Sequence, residues 1–443
     1  MPLIHSSKVA ARLGSTRAQS LDVLRGAAVL LVLGQHHTGW RPLSNLGWTG
    51  VDLFFVLSGY LVSGLLFGEY RKWGAINVRR FWLRRGLKIW PAFYAFLIFT
   101  LVQRVAAGKH NVRSIFGEAF FLQCYSDGLR LWPHTWSLAV EEHFYLLLPL
   151  LLLAVSFHSR DRANPFRAVP LIFGILAVAC LALRAMTWAH TGSWNATTFP
   201  SHLRIDSLFA GVALAYVRHF HPPAFQRAGR LPLWAPGVIL VSISLVTPAW
   251  RGAMATMGLT VVYLGYGCIL VWMAMRPSSR SLFMRALAAV GYYSYSIYLW
   301  HAVVAFSWFA RRPTTFLWFI AYLAASVALG VFMAYLIETP VLELRNRLFP
   351  SRSPGLAAAP SASDMPFIVC GPDVSPLGEN ADSHKHGVCP LARRSPTCFH
   401  MQVRRGGMGI RRTNRRGRNA NSVVQLFRPP GFIRFHDKPG RLA

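Results

Sequence analysis

Long apolar runs separated by short polar segments dominate the first 350 residues of the chain. A helix that crosses a bilayer needs about 20 mostly apolar residues. The clearest runs are Trp48 to Phe67, Trp136 to Phe157 and Thr315 to Ile337. The pattern predicts an all-α polytopic bundle of about ten transmembrane helices. Their starts are predicted near Leu21, Trp48, Leu87, Trp136, Ala168, Leu203, Leu233, Ala255, Ala288 and Thr315.

The composition supports a membrane protein. Of the 443 residues, 53% are hydrophobic and only 14% are charged, whereas an average soluble domain carries about 25% charged residues. The net charge of +31 would indicate nucleic acid in a soluble protein. Here most of the excess Lys and Arg lies in short connections between the apolar runs, on the side that holds the termini. The positive-inside rule then places both termini in the cytoplasm, and no nucleic-acid partner is expected.

The chain divides into three parts. Residues 1–20 form a cytoplasmic N-terminal segment, and residues 21–347 form the transmembrane domain. Residues 348–443 are rich in Arg, Pro and Ser and are predicted to be a disordered cytoplasmic tail, with attraction to anionic lipid as the functional alternative. The six cysteines form no CxxC pair, and their spacing fits no zinc-ligand pattern. No metal site is predicted.

The first predicted span carries two ionisable residues on one face. Arg25 and His36 are eleven positions apart, which is close to three helical turns and roughly 16 Å along the axis. Asp22 lies one turn before Arg25 and could pair with it. Each side chain alone could extend to the lipid headgroups. Two on one stripe of an apolar helix favour a functional site.

Other predicted spans also contain ionisable residues. Each could be a helix-to-helix hydrogen bond or a cap, but on the predicted topology several lie in the outer half with His36, which indicates a shared site. The adjacent glutamates diverge by about 100° around their helix. These residues are Asp52, Glu141, Glu142, Arg204, Asp206 and His301.

The connection between the second and third spans is strongly basic. One interpretation is topology determination and anionic lipid; the other is a clamp for a phosphorylated cofactor. Trp82 and Trp90 could stack on a purine or anchor at the membrane interface. The basic residues are Arg71, Lys72, Arg79, Arg80, Arg84, Arg85 and Lys88.

Seven sequence blocks together resemble the acyltransferase-3 family of integral-membrane acyltransferases, which O-acylate surface glycans and related molecules. They occur in the family's order between Leu21 and Arg347. The resemblance implies a ten-helix domain that takes acyl groups from cytoplasmic acyl-CoA and delivers them to an outer acceptor. The blocks are LDVLRGAAVLLVLGQHH, GWTGVDLFFVLSGYL, RFWLRRGLKIWP, TWSLAVEEHFYLLLP, HLRIDSLFAGVALA, YSYSIYLWH and IETPV.

Individual family motifs map onto this chain. The Arg-x10-His motif matches Arg25 and His36. The basic Arg-x-x-Arg motif falls on Arg85 and Lys88, where lysine replaces the second arginine and bidentate phosphate contact is lost. The Ser-Leu-x-x-Glu block matches Ser137, Leu138 and Glu141.

The resemblance implies roles for these residues. His36 is expected to be the general base, or a transient acyl carrier. Glu141 would orient His36 or balance charge, and Arg25 would line the route or hold the CoA end. The CoA phosphates would contact Arg84, Arg85 and Lys88. Further candidate site residues are Asp52, Ser137, Arg204, Asp206 and His301.

The predicted function is O-acyl transfer in the bacterial inner membrane. Acetyl-CoA is the expected donor and a co-substrate, with no permanently bound cofactor. The acceptor would be an extracytoplasmic glycan, such as lipopolysaccharide, another polysaccharide or peptidoglycan, or a lipid-linked sugar. A transporter or flippase for an anionic or glycan substrate is the main alternative, and an inactive acyl-CoA sensor is a third. No P-loop or serine-esterase motif occurs, which argues against ATP hydrolysis and soluble-type esterase chemistry.

Overall fold

The computed structural model describes residues 16–36, 40–108, 111–246, 251–277, 279, 281–350, 399–404 and 407–412. These belong to two compact units, residues 1–358 and 359–443. Every regular element described in the first unit is a helix, which confirms the all-α prediction for that unit. In the second unit, β1 (Phe399–Arg404) and β2 (Gly407–Arg412) form an antiparallel hairpin. The rest of the predicted tail, and most of the N-terminal segment, lies outside the described residues.

The helices of the first unit follow the predicted apolar runs closely. Each of the ten runs coincides with one helix or with consecutive helices. In order they are α1 Thr16–His36, α2 Arg41–Gly47, α3 Gly50–Trp73, α4 Val78–Ala106, α5 Val112–Ala119, α6 Trp136–His158, α7 Val169–Thr191, α8 Trp194–Thr198, α9 Ile205–Phe220, α10 Pro222–Arg230, α11 Trp234–Ser242, α12 Arg251–Ala274, α13 Leu282–Tyr292, α14 Ser294–Val303 and α15 Phe316–Leu348.

Helix α4 begins nine residues before its predicted apolar run. The side chain of Asn77 accepts a hydrogen bond of 2.9 Å from the backbone N–H of Arg80, which satisfies one of the free N–H groups at a helix N-terminus. The basic segment after Val78 is therefore helical and continuous with the apolar part of α4. Its charged side chains project in several directions around one rigid element.

Several helices have the length and apolarity of a membrane span, as expected for an integral membrane protein. Six described segments meet both criteria: Arg41–Trp73, α4, α6, α7, α12 and α15. Helices α10 and α11 meet at a bend of 75°, and they add a seventh span if together they form one broken span. Helix α1 is not among the six, and it contains Asp22 and Arg25; α9 has only 16 residues. These criteria therefore support fewer spans than the ten predicted.

Glycines allow two pairs of helices to pack backbone to backbone. A Cβ at Gly291 would overlap the carbonyl oxygen of Asp22, so α13 lies directly against α1. A Cβ at Gly59 of α3 would overlap the carbonyl oxygen of Leu208 in α9. Likewise, a Cβ at Gly211 of α9 would overlap the carbonyl oxygen of Val56 in α3. Such close approach is typical of helix pairs in membranes. It fixes α1 against α13 and α3 against α9.

Three π-helical turns interrupt the described helices, at Met254–Gly258, Val304–Trp308 and Ala334–Glu338. Single π turns occur frequently at functional sites, because the extra residue redirects neighbouring side chains. The second follows α14 directly, and the third lies within α15 and ends at Glu338.

Candidate active site

A cavity of about 100 Å³ lies between α1, α3, α4, α6, α13, α14 and α15. Five of the predicted site residues line it together: Arg25, Arg85, Lys88, Ser137 and Glu141. They come from the three helices α1, α4 and α6 and lie up to 116 positions apart in the sequence. The other polar side chains of the lining are Ser58, Tyr145, Tyr292, Ser294, Tyr295, Tyr298 and Glu338.

The three cationic side chains of the lining have partners at its edges. Arg25 forms a 2.9 Å ion pair with Asp22, which confirms the predicted pairing. The guanidinium of Arg85 lies 4.8 Å from the centre of the Tyr145 ring, within cation–π range. Lys88 interacts electrostatically with Glu338. Three cations and two carboxyl groups thus line one cavity, a combination suited to an anionic ligand.

The two adjacent glutamates of α6 have different environments. Glu141 faces the cavity and accepts hydrogen bonds from the Ser58 hydroxyl at 2.6 Å and the Tyr145 hydroxyl at 3.1 Å. Glu142 is buried and accepts a 2.9 Å hydrogen bond from the Trp90 indole N–H. This divergence was predicted from the 100° helical step. Of the two, only Glu141 lines the cavity.

The sequence interpretation missed the carboxyl group of Glu338. It lies at the end of the third π turn, lines the cavity and accepts a 2.8 Å hydrogen bond from the Ser296 hydroxyl. The block IETPV, used above only to identify the family, contains this residue. Its position inside an apolar helix was the signal that could have identified it.

The basic segment of α4 separates into two groups. Arg85 and Lys88 line the cavity, whereas Arg84 and Arg80 donate hydrogen bonds to the carbonyl oxygens of Phe349 and Pro350, respectively. The free carbonyl groups at the C-terminus of a helix favour cationic partners. Arg84, predicted with the phosphate-binding residues, therefore contacts the chain just after α15.

The two tryptophans of this segment join α4 to α6. The indole N–H of Trp82 donates to the carbonyl oxygen of Tyr145 at 3.2 Å, and that of Trp90 donates to Glu142. Neither side chain lines the cavity. These contacts give both residues a role in helix packing.

His36 lies in a separate group of imidazole rings, here called the histidine cluster (His36, His134 and His301). The ring centroids of His36 and His301 are 5.1 Å apart, and those of His134 and His301 are 5.0 Å apart. His301 is among the candidate site residues predicted from the sequence. His134, which lies in the loop before α6, is not. The cluster does not line the cavity itself.

Tyr298 joins the cavity to the histidine cluster. Tyr298 and Ser137 both line the cavity, and their hydroxyl oxygens are 2.5 Å apart. The Tyr298 hydroxyl also donates to the carbonyl oxygen of His134 at 2.8 Å. Its ring centroid lies 5.5 Å from that of His134 and 5.7 Å from that of His301. Tyr298 therefore contacts both the cavity and two of the three rings of the cluster.

A buried carboxyl group holds the loop that carries His134. Glu118 of α5 accepts hydrogen bonds from the backbone N–H of Leu131 at 2.9 Å and the Thr135 hydroxyl at 2.7 Å. Burial raises the pKa of Glu118 to about 7, and burial lowers the pKa of His134 to about 3. The His134 ring is therefore neutral at physiological pH.

Three other predicted residues form buried ion pairs outside the cavity lining. Arg204 contacts Asp52 at 2.6 Å, and Arg184 contacts Asp206 at 3.0 Å, with all four side chains at most 3% exposed. Arg184 also donates to the Thr260 hydroxyl at 2.7 Å. The sequence predicts that Asp52 and Arg204 share a site with Glu141 and His36. This geometry does not support that expectation, because the two charges pair with each other and neither side chain lines the cavity.

A second polar contact lies beside α6, away from the cavity lining. The Ser201 hydroxyl and Nδ1 of His143 share a 2.6 Å hydrogen bond. The ring of Tyr125 stacks on the rings of His143 and His202, each at 5.9 Å. This contact fixes the turn before α9 against α6. Among the described residues, no group of three or more His, Cys, Asp or Glu side chains has metal-ligand geometry.

The comparison with known protein families accounts for most of the first unit. A family model described as an acyltransferase domain matches residues 18–335. The chain belongs to the acyltransferase-3 family. The matched range contains the whole histidine cluster and every residue of the cavity lining except Glu338, which lies three residues beyond its end. The predicted family is therefore confirmed.

Named relatives are O-acetyltransferases. The peptidoglycan O-acetyltransferase OatA of Listeria monocytogenes is 27% identical over 64% of this chain and 48% of its own length. The O-acetyltransferase OatA of Staphylococcus aureus is 28% identical over 72% and 56%, and the putative peptidoglycan O-acetyltransferase YrhL of Bacillus subtilis is 28% identical over 63% and 47%. The chain spans about half the length of these curated relatives. No solved structure matches it.

Proposed function

We propose that this acyltransferase moves an acetyl group from acetyl-CoA to a hydroxyl group of a glycan, with peptidoglycan as the first acceptor to test. One observation carries the proposal: Arg25, Arg85, Lys88 and Glu141 line a single cavity, and Tyr298 of the same lining packs against His301 of the histidine cluster. The relatives named as peptidoglycan O-acetyltransferases support the choice of acyl group and acceptor.

Arg85 and Lys88 are the proposed contacts for the CoA phosphates. Charge-assisted hydrogen bonds from Arg and Lys are the strong contacts that proteins use for phosphate. Arg25 of α1 lines the same cavity and would bind the donor closer to its thioester. The cavity volume of about 100 Å³ favours a short acyl group.

His36 is the proposed general base. A sugar hydroxyl is a poor nucleophile at neutral pH, and imidazole accepts a proton in the right range. As His36 takes the hydroxyl proton, the sugar oxygen bonds to the acyl carbon and the carbon–sulfur bond breaks. The CoA thiolate then takes the proton from His36 and leaves as the thiol. Glu141 would orient His36 or balance the positive charge that His36 gains during the transfer.

The proposal includes an orientation in the membrane. Ten helices with both termini in the cytoplasm would place Arg85 and Lys88 near the cytoplasmic acyl-CoA and His36 near the outer acceptor of a bacterial inner membrane. The excess of Lys and Arg in the connections on the Arg85 side supports this orientation. This orientation can be tested with variants that carry a single cysteine at position 74 or at position 192. Each cysteine is labelled with a reagent added to one side of the membrane or to the other.

The deciding experiment uses the full chain in lipid nanodiscs with radiolabelled acetyl-CoA and soluble muropeptides. We expect free CoA and an acetyl-sized mass increase on the glycan. His36→Ala should lower the rate by at least about 100-fold, while the exposed control His190→Ala keeps it. A wild-type protein that releases no CoA contradicts the proposal and favours the transporter alternative, since a transporter has no thioester turnover.

A further inference from the structure

The histidine cluster contains two ring nitrogens whose protonation follows from their neighbours. Nδ1 of His301 lies 2.5 Å from the carbonyl oxygen of Tyr298, and Nε2 of His134 lies 3.2 Å from that of Leu299. A carbonyl oxygen only accepts hydrogen bonds, so each of these nitrogens carries the proton. In the neutral rings, Nε2 of His301 and Nδ1 of His134 therefore carry lone pairs.

Both lone pairs are buried and have no donor among the described residues. His301 is 0% exposed and His134 is 4% exposed. A buried acceptor without a partner costs about 1–3 kcal/mol, and native proteins keep few such groups. Of the two rings, that of His301 packs directly against the proposed general base His36, so the lone pair of His301 is the one that a donor on His36 can reach.

The ring of His36 is close enough to be that donor for His301. An imidazole nitrogen lies about 1.2 Å from its ring centroid, so centroids 5.1 Å apart leave room for a nitrogen–nitrogen hydrogen bond of about 2.9 Å. The two rings are tilted by 40°, and rotation about the last side-chain torsion of His36 would align them, since this torsion is broad for histidine.

His134 has a different relation to the cluster. Its ring stands at 72° to that of His301, with an edge directed at a face, which is a packing geometry. Its ring also packs on Phe96 at 5.9 Å and on Tyr298 at 5.5 Å. Two titratable rings interact electrostatically with His36: that of His301 and, at longer range, that of His134.

We infer that His301 is a positioning residue for His36: its Nε2 accepts a hydrogen bond from one ring nitrogen of His36 and thereby directs the lone pair of the other nitrogen toward the acceptor hydroxyl. This inference rests on the proposed function. When His36 takes the hydroxyl proton, the same hydrogen bond stabilises the imidazolium. The proton leaves on the CoA sulfur, and His301 keeps its own proton on Nδ1 throughout.

The substitution His301→Asn separates this role from the structural one. The asparagine amide nitrogen can replace Nδ1 and keep the hydrogen bond to Tyr298, but the side chain ends before the position of Nε2. In the muropeptide assay we expect kcat to fall by at least about tenfold with KM for acetyl-CoA unchanged. The acid limb of the pH–rate profile should move to lower pH, because the imidazolium of His36 loses its acceptor.

Two further variants complete the test. His301→Gln offers an amide oxygen near the position of Nε2 and should recover part of kcat. His134→Gln keeps the donor to Leu299 and removes only the unpartnered Nδ1. Its acid limb should therefore stay at the wild-type pH, and its kcat should fall less than that of His301→Asn.

The outcomes distinguish the two proposals. A wild type without thioester turnover overturns the proposed function and this inference with it. An active wild type with unchanged kcat and pH profile in His301→Asn overturns only the inference. Equal losses in His301→Asn and His134→Gln, without a shift of the acid limb, would show that both rings only support packing and would also overturn it.

Discussion

Two groups of ionisable side chains lie within the helix bundle, and they differ in how their charges are satisfied. The ion pairs Asp52–Arg204 and Asp206–Arg184 are almost fully buried, and each charge contacts an opposite one at 3.0 Å or less. In the cavity, Arg25, Arg85, Lys88, Glu141 and Glu338 face a common space. There Arg85 contacts an aromatic ring and Glu141 accepts hydrogen bonds from hydroxyl groups.

This difference shows that an ionisable residue in a membrane helix does not by itself identify a site. Such residues are costly in a bilayer and are retained either in pairs or along a functional route. Asp52 and Arg204 belong to the first kind, and Arg85 and Glu141 fit the second. Substitutions in the two groups should therefore affect different quantities, stability in one and catalysis in the other.

The largest effect should come from breaking a buried ion pair. Asp52→Ala leaves Arg204 charged and unpaired among Phe55 and Trp136, which typically costs about 3–5 kcal/mol. We expect a clearly lower melting temperature of the detergent-solubilised protein, measured by the loss of its monodisperse chromatographic peak on heating. The double variant Asp52→Leu with Arg204→Met should recover most of the loss, since it removes both charges. An unchanged melting temperature in Asp52→Ala would contradict a structural role for this pair.

Glu141→Gln should have the opposite profile. Ser58 and Tyr145 donate to different oxygens of Glu141. The amide keeps one oxygen as acceptor, and the hydroxyl group that faces the amide nitrogen can accept instead, so the melting temperature should stay close to that of the wild type. Loss of the negative charge between Arg85 and Lys88 should lower kcat, by about 100-fold if Glu141 orients or balances the base. The matched control is Glu142→Gln, which alters the packing contact with Trp90. Equal activity losses in the two variants would remove the distinction between them.

A smaller effect is expected in donor binding. Arg85→Ala and Lys88→Ala should each raise KM for acetyl-CoA by about tenfold, the equivalent of one charge-assisted hydrogen bond of about 1.5 kcal/mol. Arg84→Ala should leave KM nearly unchanged, because its guanidinium contacts the carbonyl of Phe349. Steady-state rates at several acetyl-CoA concentrations measure this, and a KM increase confined to Arg84→Ala would reverse the assignment.

The smallest effect concerns the indole of Trp90. Trp90→Phe keeps an aromatic ring but removes the hydrogen bond to Glu142, which should cost about 1 kcal/mol of stability. KM for acetyl-CoA should not change. If it rises while the melting temperature stays constant, purine stacking by this side chain returns as the better explanation.

The sequence was sufficient for most of the helices and for part of the site. Apolar runs of bilayer length predict helices whatever their neighbours are, and each of the ten runs corresponds to described helices. The spacing of Arg25 and Asp22 on one helix predicted their ion pair because that distance depends only on helical geometry. Likewise, the helical step predicted that Glu141 and Glu142 face different surroundings.

Contacts between distant segments were beyond such reasoning. Asp52 and Arg204 are 152 positions apart, and their pairing depends on the glycine contact that brings α3 against α9. His134 has no helical period to mark it, because it lies in a loop held by Glu118. Glu338 enters the cavity from a π turn, an irregularity that no simple periodicity contains.

By itself, the sequence determined the helical character of this chain, its membrane environment and its family, because these depend on local apolarity and on short motifs. The tertiary structure decided which charges neutralise each other, which residues share a cavity, and that His301 lies beside His36. Those relations depend on the packing of helices that are far apart in the chain, where a single glycine or π turn changes which side chains meet.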